Sequence, residues 1–404
     1  MKLNRREMLK ASAMAAAAPM INLGTFELFA QSQSNGKYST RAIDLVRSAT
    51  TLDMLNPFSL YACLAPLMKR QGGPEPRTWF NDPTTFTQKD LAAFRESGIN
   101  VYYIAVGTGG PDAYDETMRF LGLWNGFIAH HSEWLARVDS PELLAAIKKS
   151  GKLGIILGLQ NSEHFRTPAD VDFFYNLGQR ISLLTYNSRN LVGTGSTERT
   201  DSGISDFGVA VIQRMNKLGM AVDVAHSGEM TSMDACTVST QPVLITHSNC
   251  KALNPHPRCK SDEAIKKMAA TGGVMGITGV RMFVTAQEPT TIEDVLNHYD
   301  HVARLVGVEH VGVGSDIDLY GYDALPDPIR KALHASYKAS YGFRDKDDIE
   351  GLDHPKRFYD IAQGLIKRGY SDKDIAGILG GNFQRVLTKI WSAAPPPDPN
   401  QKYG

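Results

Sequence analysis

The chain has 404 residues, and its 43 Lys+Arg balance 43 Asp+Glu, so the formal net charge at pH 7 is zero. This balance excludes the basic excess with which nucleic-acid-binding proteins neutralise phosphates. A hydrophobic fraction of 42% and a charged fraction of 21% are typical of a globular protein and argue against disorder. Four cysteines are too few for a disulfide scaffold in a chain of this length.

The first 30 residues have the composition of an export signal. Arg5 and Arg6 precede an alanine-rich, weakly apolar stretch, and Ala30 offers a small residue at a cleavage point. The arginine pair predicts the twin-arginine route, which carries folded proteins, and therefore a periplasmic location. The alternative is an amphipathic helix of the mature domain. We predict a signal peptide at 1–30, one domain at 31–392 without a membrane span, and a proline-rich tail at 393–404.

Short apolar, β-branched runs alternate with helical patterns along the body of the chain. Strands alternating with helices indicate a parallel sheet, and eight such units favour the α/β fold class, as a (β/α)8 TIM barrel. A doubly wound open sheet is the alternative, but no Gly-x-Gly-x-x-Gly follows an early strand. The predicted strands are Thr50–Leu55, Ile99–Val106, Leu153–Leu159, Ile181–Thr185, Ala221–Val224, Val243–Thr246, Gly273–Ile277 and His310–Gly314. The predicted helices are Phe86–Glu96, Pro141–Lys149, Pro168–Gly178, Asp206–Leu218, Ser261–Ala270 and Ile292–Leu305.

Two histidines and an aspartate stand where predicted strands end. His226 and His247 belong to neighbouring strands, and Asp316 follows the last one. Because the C-terminal ends of barrel strands meet at one face, these side chains should share one site. Imidazoles and a carboxylate suit a divalent metal and a general base. The alternative for each histidine is a packing or hydrogen-bonding role in a neighbouring loop.

The order and spacing of these residues resemble the membrane (renal-type) dipeptidases, metallopeptidase family M19. The resemblance covers nearly the whole mature chain. It implies a barrel of the metal-dependent-hydrolase type, two zinc ions bridged by a glutamate, and hydrolysis of dipeptides, with β-lactams or dehydropeptides accepted by some relatives. The segments that carry it are Arg180–Asn190, Gly193–Gly195, Asp201–Gly208, Met215–Gly219, Asp223–His226, Thr246–Asn249, Thr271–Val274, Gly312–Asp316 and Gly380–Leu387.

The resemblance also implies roles for single residues. His226 and His247 match ligands of the second metal, and Asp316 matches the catalytic aspartate. Arg258 matches the arginine that binds the substrate carboxylate, whereas its position in a polar loop would otherwise indicate a surface charge. Tyr186, at a substrate-binding position where the family has histidine, and Asn187 beside it are predicted to contact the substrate.

Three positions depart from the family pattern. Leu55 and Pro57 stand where the first strand of the family carries its metal-binding His and Asp, and neither side chain binds a metal. Gln160 replaces the bridging glutamate and offers one weak carbonyl ligand. We therefore expect one zinc ion or none, with Gln160, Asp316 and a water molecule completing the shell of the two histidines. Glu163 and His164, just beyond Gln160, are alternative ligands.

Three functions remain open at this point. The first is an exported hydrolase of dipeptides or small peptide-like amides with a mononuclear metal site, in which Asp316 moves the proton. The second is a metal-free relative that binds or matures a peptide-like natural product, as in siderophore maturation. The third is a barrel isomerase or lyase. A homodimer is also open, as is the choice between a Cys250–Cys259 disulfide and two thiols.

Overall fold

The computed structural model describes residues 36–58, 79–80 and 82–393. The predicted signal peptide and all but the first residue of the predicted tail lie outside these residues. Within them, no helix is both long enough and apolar enough to cross a bilayer.

A parallel sheet of nine strands forms a barrel within the described part of the chain. Eight strands follow one another around it in the order β1-β2-β4-β5-β6-β7-β8-β9, and β3 pairs with β4 beside this path. The strands are β1 Leu52–Asp53, β2 Val101–Val106, β3 Leu135–Arg137, β4 Leu153–Leu159, β5 Gln179–Leu183, β6 Ala221–Asp223, β7 Val243–Ser248, β8 Met275–Ile277 and β9 Val311–Val313.

Hydrogen bonds between the first and last strands close the barrel. The amide of Met54 donates to the carbonyl of Val313 over 2.9 Å, and the amide of Asp316 donates to the carbonyl of Leu55 over 2.9 Å. The predicted TIM barrel and its eight strands are therefore confirmed. The short β3 was not predicted, because three residues are too few to show an alternating pattern.

Helices alternate with the strands and cover the barrel. All six predicted helices are present, although the one predicted at Pro168–Gly178 is shorter. The helices are α1 Thr40–Ser48, α2 Gln88–Glu96, α3 Ala113–His130, α4 Pro141–Ser150, α5 Asp170–Asn176, α6 Asp206–Leu218, α7 Glu229–Val238, α8 Asp262–Ala270, α9 Arg281–Val284, α10 Ile292–Val306, α11 Asp327–Ala335, α12 Arg357–Lys367, α13 Asp372–Ala376 and α14 Asn382–Trp391. The helices that were not predicted include α1, α3 and those after α10.

Capping residues determine where α6 begins and ends. This helix precedes β6, which is followed by His226. The Ser205 hydroxyl accepts from the amide of Gly208 at the N-terminus of the helix. Gly219 ends the helix with φ 75°, a left-handed conformation that glycine adopts without strain. The chain thus turns directly into β6, whose end forms part of the barrel mouth.

Apolar side chains fill the barrel interior. Tyr103, Ile156 and Leu244 belong to one buried cluster that also contains Phe383 and Leu387 of α14. The helix α14 contacts β6 and β9. It therefore packs against the barrel away from the strand ends that carry the polar residues. The polar C-terminal ends of the strands are left for chemistry, as in other TIM barrels.

A long segment after β9, residues 318–356, lies over these C-terminal ends; we call it the mouth segment. It contains α11 and a short 3-10 helix, Ala339–Tyr341. Lys338 holds it to the loop after β5 through an ion pair with Glu198 at 3.2 Å. The mouth segment therefore adds side chains to whatever site the strand ends form.

Candidate active site

Two buried histidines form the centre of the barrel mouth. His226 follows β6, and His247 lies near the end of the adjacent β7. Their Nε2 atoms are 2.9 Å apart, and both residues are 1% exposed or less. The structure thus brings together the two histidines that the sequence predicted to share a site.

Neighbouring oxygens decide where the ring protons lie. The Nδ1 atom of His226 is 2.9 Å from Oδ1 of Asn187, an amide oxygen that only accepts, so this nitrogen donates. The Nδ1 atom of His247 is 2.9 Å from the hydroxyl of Thr246, which itself donates to the carboxylate of Asp223. The threonine oxygen can then accept from His247. Both Nε2 atoms are left as bare acceptors that face each other.

Both imidazoles are neutral in this environment. Burial lowers the pKa of each ring well below its ordinary value, and the nearby Arg258 guanidinium lowers it further. Two nitrogen lone pairs at this distance repel unless both are directed at one cation, which would lie to the side of the line that joins the two nitrogens. Neutral imidazoles held by such outer hydrogen bonds are typical zinc ligands.

These residues fit one metal ion but do not fit two. No group of three His, Cys, Asp or Glu close enough to hold a metal occurs among the residues with described positions. The pair therefore supplies two nitrogen ligands, and the rest of a shell would come from neutral oxygens or water. Leu55 lies in the apolar cluster of the barrel interior, and Pro57 is buried, so neither contributes a ligand.

Gln160 follows β4, and its side chain is anchored by its nitrogen. Nε2 donates to the carbonyl of Ala105 over 3.1 Å, which leaves the amide oxygen as the group with spare capacity. An amide oxygen is a weak ligand without charge.

The alternative ligands after β4 are engaged elsewhere. Glu163 accepts from the amide of Gly110 over 3.0 Å, so its carboxylate fixes the loop after β2. His164 is fully buried, contacts Gln179 at 3.1 Å and packs on Phe174. Burial lowers the pKa of His164 to about 3, as expected for a core histidine. Neither residue substitutes for the missing ligands.

Asp316 adopts a left-handed conformation directly after β9. Its φ is 54°, which is uncommon for a residue other than glycine and often marks a functional site. The hydroxyl of Tyr322 donates to its carbonyl oxygen over 2.7 Å. Burial raises the pKa of the Asp316 carboxyl to about 7, although Arg258 lowers it. A carboxyl with this pKa can accept and release a proton near neutral pH.

A buried network behind Asp316 holds the preceding residue. Asp53 of β1 accepts from the amide of Ser315 over 2.7 Å and from its hydroxyl over 2.6 Å. Arg357 of α12 donates to the same hydroxyl over 3.2 Å. Sequence reasoning missed both charged residues; the signal was an acidic residue inside an otherwise apolar first strand.

Arg258 is buried beside the histidines, with 1% of its surface exposed. Its guanidinium donates to the carbonyl of Ala225 and, over 3.4 Å, to that of His247, while its Nε has no partner. The ring of Phe283 lies 5.2 Å from its central carbon. A buried guanidinium with an unused donor is suited to a carboxylate ligand. The surface-charge interpretation of Arg258 is therefore wrong.

Tyr186 and Asn187 support the histidine pair. The Tyr186 ring stacks on His226 with centroids 4.1 Å apart, and its hydroxyl lies 2.8 Å from that of Tyr337 in the mouth segment. Asn187 joins His226 to Tyr341, which also hydrogen-bonds Arg258. The tyrosines of the mouth segment were not predicted, because no strand end or periodic pattern in the sequence marks them.

A second buried cation stands near the pair. Lys260 donates to the carbonyl of Ser227 over 2.6 Å and to the hydroxyl of Ser232 over 3.0 Å. Burial lowers the pKa of Lys260 to about 7. The adjacent Cys259 and the nearby Cys250 are both free thiols, so the structure contains no disulfide between them.

Comparison with known proteins settles the family. The family model for membrane dipeptidases, peptidase family M19, matches residues 62–333 and 344–396. The chain belongs to this family. The matched residues begin after β1 and after Leu55 and Pro57.

Individual relatives give the same result. The chain is 30% identical to dipeptidase verJ of Clonostachys rogersoniana over 277 residues, which cover 68% of this chain and 65% of that protein. An amidohydrolase from Pseudomonas aeruginosa is 26% identical with a TM-score of 0.73, over 87% of this chain and 99% of its own. The probable dipeptidase PvdM of the same species shares the fold at 18% identity and a TM-score of 0.69, over 87% and 98%. The match thus spans slightly less than two thirds of the length of verJ.

Proposed function

We propose that this family member is an exported hydrolase of small peptide-like amides, with one divalent metal ion at His226 and His247. The observation that carries the proposal is the pair of bare Nε2 atoms that face each other 2.9 Å apart. Outer hydrogen bonds hold both rings with Nε2 as the acceptor, which is the form that binds a metal. Zinc suits two imidazoles best among common divalent ions that are redox-inactive.

The chemistry can be assigned to residues of the chain. A bound ion would polarise the substrate carbonyl and lower the pKa of a water molecule. Asp316, whose pKa lies near 7, would hold the proton taken from the attacking water at its carboxylate and return it to the leaving amine. Arg258, which matches the family's carboxylate-binding arginine, would bind the substrate carboxylate through its guanidinium group. Tyr186 and Asn187 keep His226 in place.

Two further considerations support the proposal. The relatives named dipeptidase and amidohydrolase suggest cleavage of an amide bond. The Arg5-Arg6 pair supports export to the periplasm by the twin-arginine route.

Metal content and turnover test the proposal together. Purified protein is analysed for bound metal, and hydrolysis of alanyl-alanine and N-acetyl-alanyl-alanine is followed by mass spectrometry with zinc, manganese or cobalt added. We expect about one ion per chain and turnover that a chelator abolishes. Metal-free protein that cleaves neither compound under any of these conditions contradicts the proposal.

A metal-free binder of a peptide-like natural product is the second candidate. It is favoured by Leu55, Pro57 and Gln160, which remove the charged ligands of the first metal. Under this function, His226→Ala leaves ligand binding intact, whereas Arg258→Ala abolishes it. Loss of binding in both variants would contradict it.

A further inference from the structure

Hydrogen bonds from three parts of the chain fix the backbone around Asp316. Its amide donates to the carbonyl of Leu55 over 2.9 Å, and its own carbonyl accepts from the Tyr322 hydroxyl over 2.7 Å. The carbonyl of the preceding Ser315 accepts from the amide of Gly279 over 3.0 Å. Residues after β1, after β8 and in the mouth segment therefore meet at this turn.

The conformation of Asp316 requires such support. Its φ of 54° lies in the left-handed region, which is unfavourable for residues other than glycine. A residue in this region keeps its conformation only where the surrounding structure over-determines it. The direction of the carboxylate follows from the backbone, because Cβ is bonded to Cα. A change in φ at Asp316 would therefore turn the carboxylate away from its present position.

Arg357 of α12 holds the same turn through several hydrogen bonds. Its guanidinium donates to the Ser315 hydroxyl, which precedes Asp316, over 3.2 Å. It also donates to three successive carbonyl groups that follow Asp316, those of Ile317, Asp318 and Leu319. The side chain is buried, with 1% of the residue exposed. One side chain thus connects groups on both sides of Asp316.

Asp53 of β1 adds to this support, and Ser315 connects it to Arg357. The Asp53 carboxylate accepts from the amide and the hydroxyl of Ser315, over 2.7 Å and 2.6 Å. The side chain of Asn56 donates to Asp53 over 3.0 Å and to the carbonyl of Ile317 over 3.1 Å. The Ser315 hydroxyl donates to Asp53 and accepts from Arg357, so it joins a buried carboxylate to a buried guanidinium. Loss of either group would leave the other buried without compensation.

We propose that Arg357 is a positioning residue: through Ser315 and the three carbonyl groups after Asp316, it holds the Asp316 carboxylate in the direction that hydrolysis requires. This inference rests on the proposed function, in which Asp316 carries the proton. Arg357 acts through the backbone of the turn and takes no part in the proton transfer itself. The histidine pair is held by other residues, Asn187 and Thr246, so metal binding should not depend on Arg357.

Lysine at position 357 would keep the positive charge but lose most of these contacts. An ammonium group is a point charge with three donors, whereas the guanidinium group presents five N–H donors in a planar fork. Lysine would therefore reach fewer of the acceptors on the two sides of Asp316 at once. Because a displacement of about 1 Å can lower a rate by about 10²-fold, a looser turn should reduce kcat.

Two matched arginine variants test the inference. Arg180→Lys is the control, since Arg180 is also buried and also donates to main-chain carbonyls, but it lies near the start of β5, at the opposite end of the barrel. Cleavage of alanyl-alanine and N-acetyl-alanyl-alanine is followed with the full protein and zinc. We expect Arg357→Lys to lower kcat by about 10–100-fold, with KM and the zinc Kd within about twofold of the wild type. Arg180→Lys should lower stability in urea but keep kcat.

A second pair of variants leaves both buried charges in place. Ser315→Ala removes the hydroxyl that joins Asp53 to Arg357 and should lower kcat by about tenfold without a change in KM. Ser97→Ala, at a buried hydroxyl before β2, is its control and should keep kcat. This pair decides the question if Arg357→Lys does not fold.

Hydrogen exchange gives a readout that does not need turnover. The amides of Ser315 and Asp316 both donate to residues of the first-strand region, and their exchange reports opening of the turn. Mass spectrometry of peptides that cover residues 313–319 should show faster exchange in Arg357→Lys than in the wild type. Exchange in the same peptides should be unchanged in Arg180→Lys.

The outcomes separate this inference from the proposed function. Normal kcat in Arg357→Lys and Ser315→Ala, or equal losses in the two arginine variants, overturns the inference and leaves the hydrolase standing. Loss of zinc binding in Arg357→Lys would show a general disturbance of the site and would also overturn it. A wild type that cleaves neither compound overturns the hydrolase. Faster exchange confined to Arg357→Lys would then still support the positioning of Asp316, and equal exchange in both arginine variants would overturn it.

Discussion

The Nε2 atoms of His226 and His247 lie 2.9 Å apart, and each ring donates its other N–H to an oxygen acceptor. This arrangement indicates where a metal ion would bind in this member of the family. Leu55 and Pro57 stand at the positions predicted for first-metal ligands, whereas both histidines have outer hydrogen bonds that hold their rings. The metal site that we propose therefore depends on these two rings.

Substitution of either histidine should abolish metal binding. We expect wild-type protein to retain about one zinc after dialysis, and His226→Ala or His247→Ala to retain about none. Zinc at a hundredfold excess over its Kd should stabilise the wild type by about 2.7 kcal/mol and the variants by much less. Elemental analysis and thermal unfolding measure both. His130→Ala, an exposed histidine, is the control and should behave as wild type.

Asp316→Asn should abolish turnover while the protein remains folded. Asparagine tolerates the φ of 54° at this position but cannot accept a proton as a base. In the wild type, kcat/KM should rise with pH through about 7, because the reactive form is the carboxylate. The pH–rate profile and circular dichroism provide the measurement. A variant with normal turnover would show that the base lies elsewhere.

The same carboxyl should make stability depend on pH. Its pKa is raised from 3.8 to about 7 in the folded protein, so the folded state holds a proton that the unfolded state has lost between these values. Stability therefore falls as pH rises from about 4 to 7. In the presence of chelator, Asp316→Asn should be more stable than wild type by about 1–2 kcal/mol near pH 8, the half-buried position reducing the full effect. The difference between the two should shrink near pH 4 in urea titrations.

Arg258→Lys should weaken the binding of substrates with a free carboxylate. Lysine keeps the positive charge but lacks the paired N–H donors of the guanidinium group. We expect the transition-state stabilisation calculated from kcat/KM to fall by about 2–5 kcal/mol. With the wild type, replacing the substrate carboxylate by an amide should lower kcat/KM by the same amount as Arg258→Lys does. With the variant, the same replacement should lower kcat/KM only a little further. Additive losses in this double cycle would show that Arg258 does not contact the carboxylate.

The hydroxyl contact between Tyr186 and Tyr337 should couple the mouth segment to the histidine pair. The oxygens are 2.8 Å apart, so removal of either hydroxyl breaks the same hydrogen bond. We expect Tyr186→Phe and Tyr337→Phe each to cost about 0.5–1.5 kcal/mol of stability, and the double variant to cost no more than one of them. Urea unfolding of the four proteins gives the coupling energy. Tyr320→Phe, at an exposed tyrosine, is the control.

Sequence alone predicted the barrel because its strands are short apolar runs with helices between them. It also predicted His226, His247 and Asp316, because strand ends meet at one face. It did not predict Tyr337, Tyr341 or the Asp53–Ser315–Arg357 network. These contacts join residues far apart in the chain, so no local spacing reveals them. It also could not determine ring protonation, which depends on hydrogen bonds made by Asn187 and Thr246.

Gly107 gives the histidine pair a sensitivity that is not obvious from its position. It follows β2, and the Tyr186 ring rests where its side chain would be, with 3.1 Å to an added Cβ. A single methyl group at this position would press the ring toward His226, against which it already stacks. A substitution after β2 would thus displace the His226 imidazole through contact with the Tyr186 ring. Variation at residue 107 can tune the spacing of the two nitrogens without altering any residue that touches a ligand.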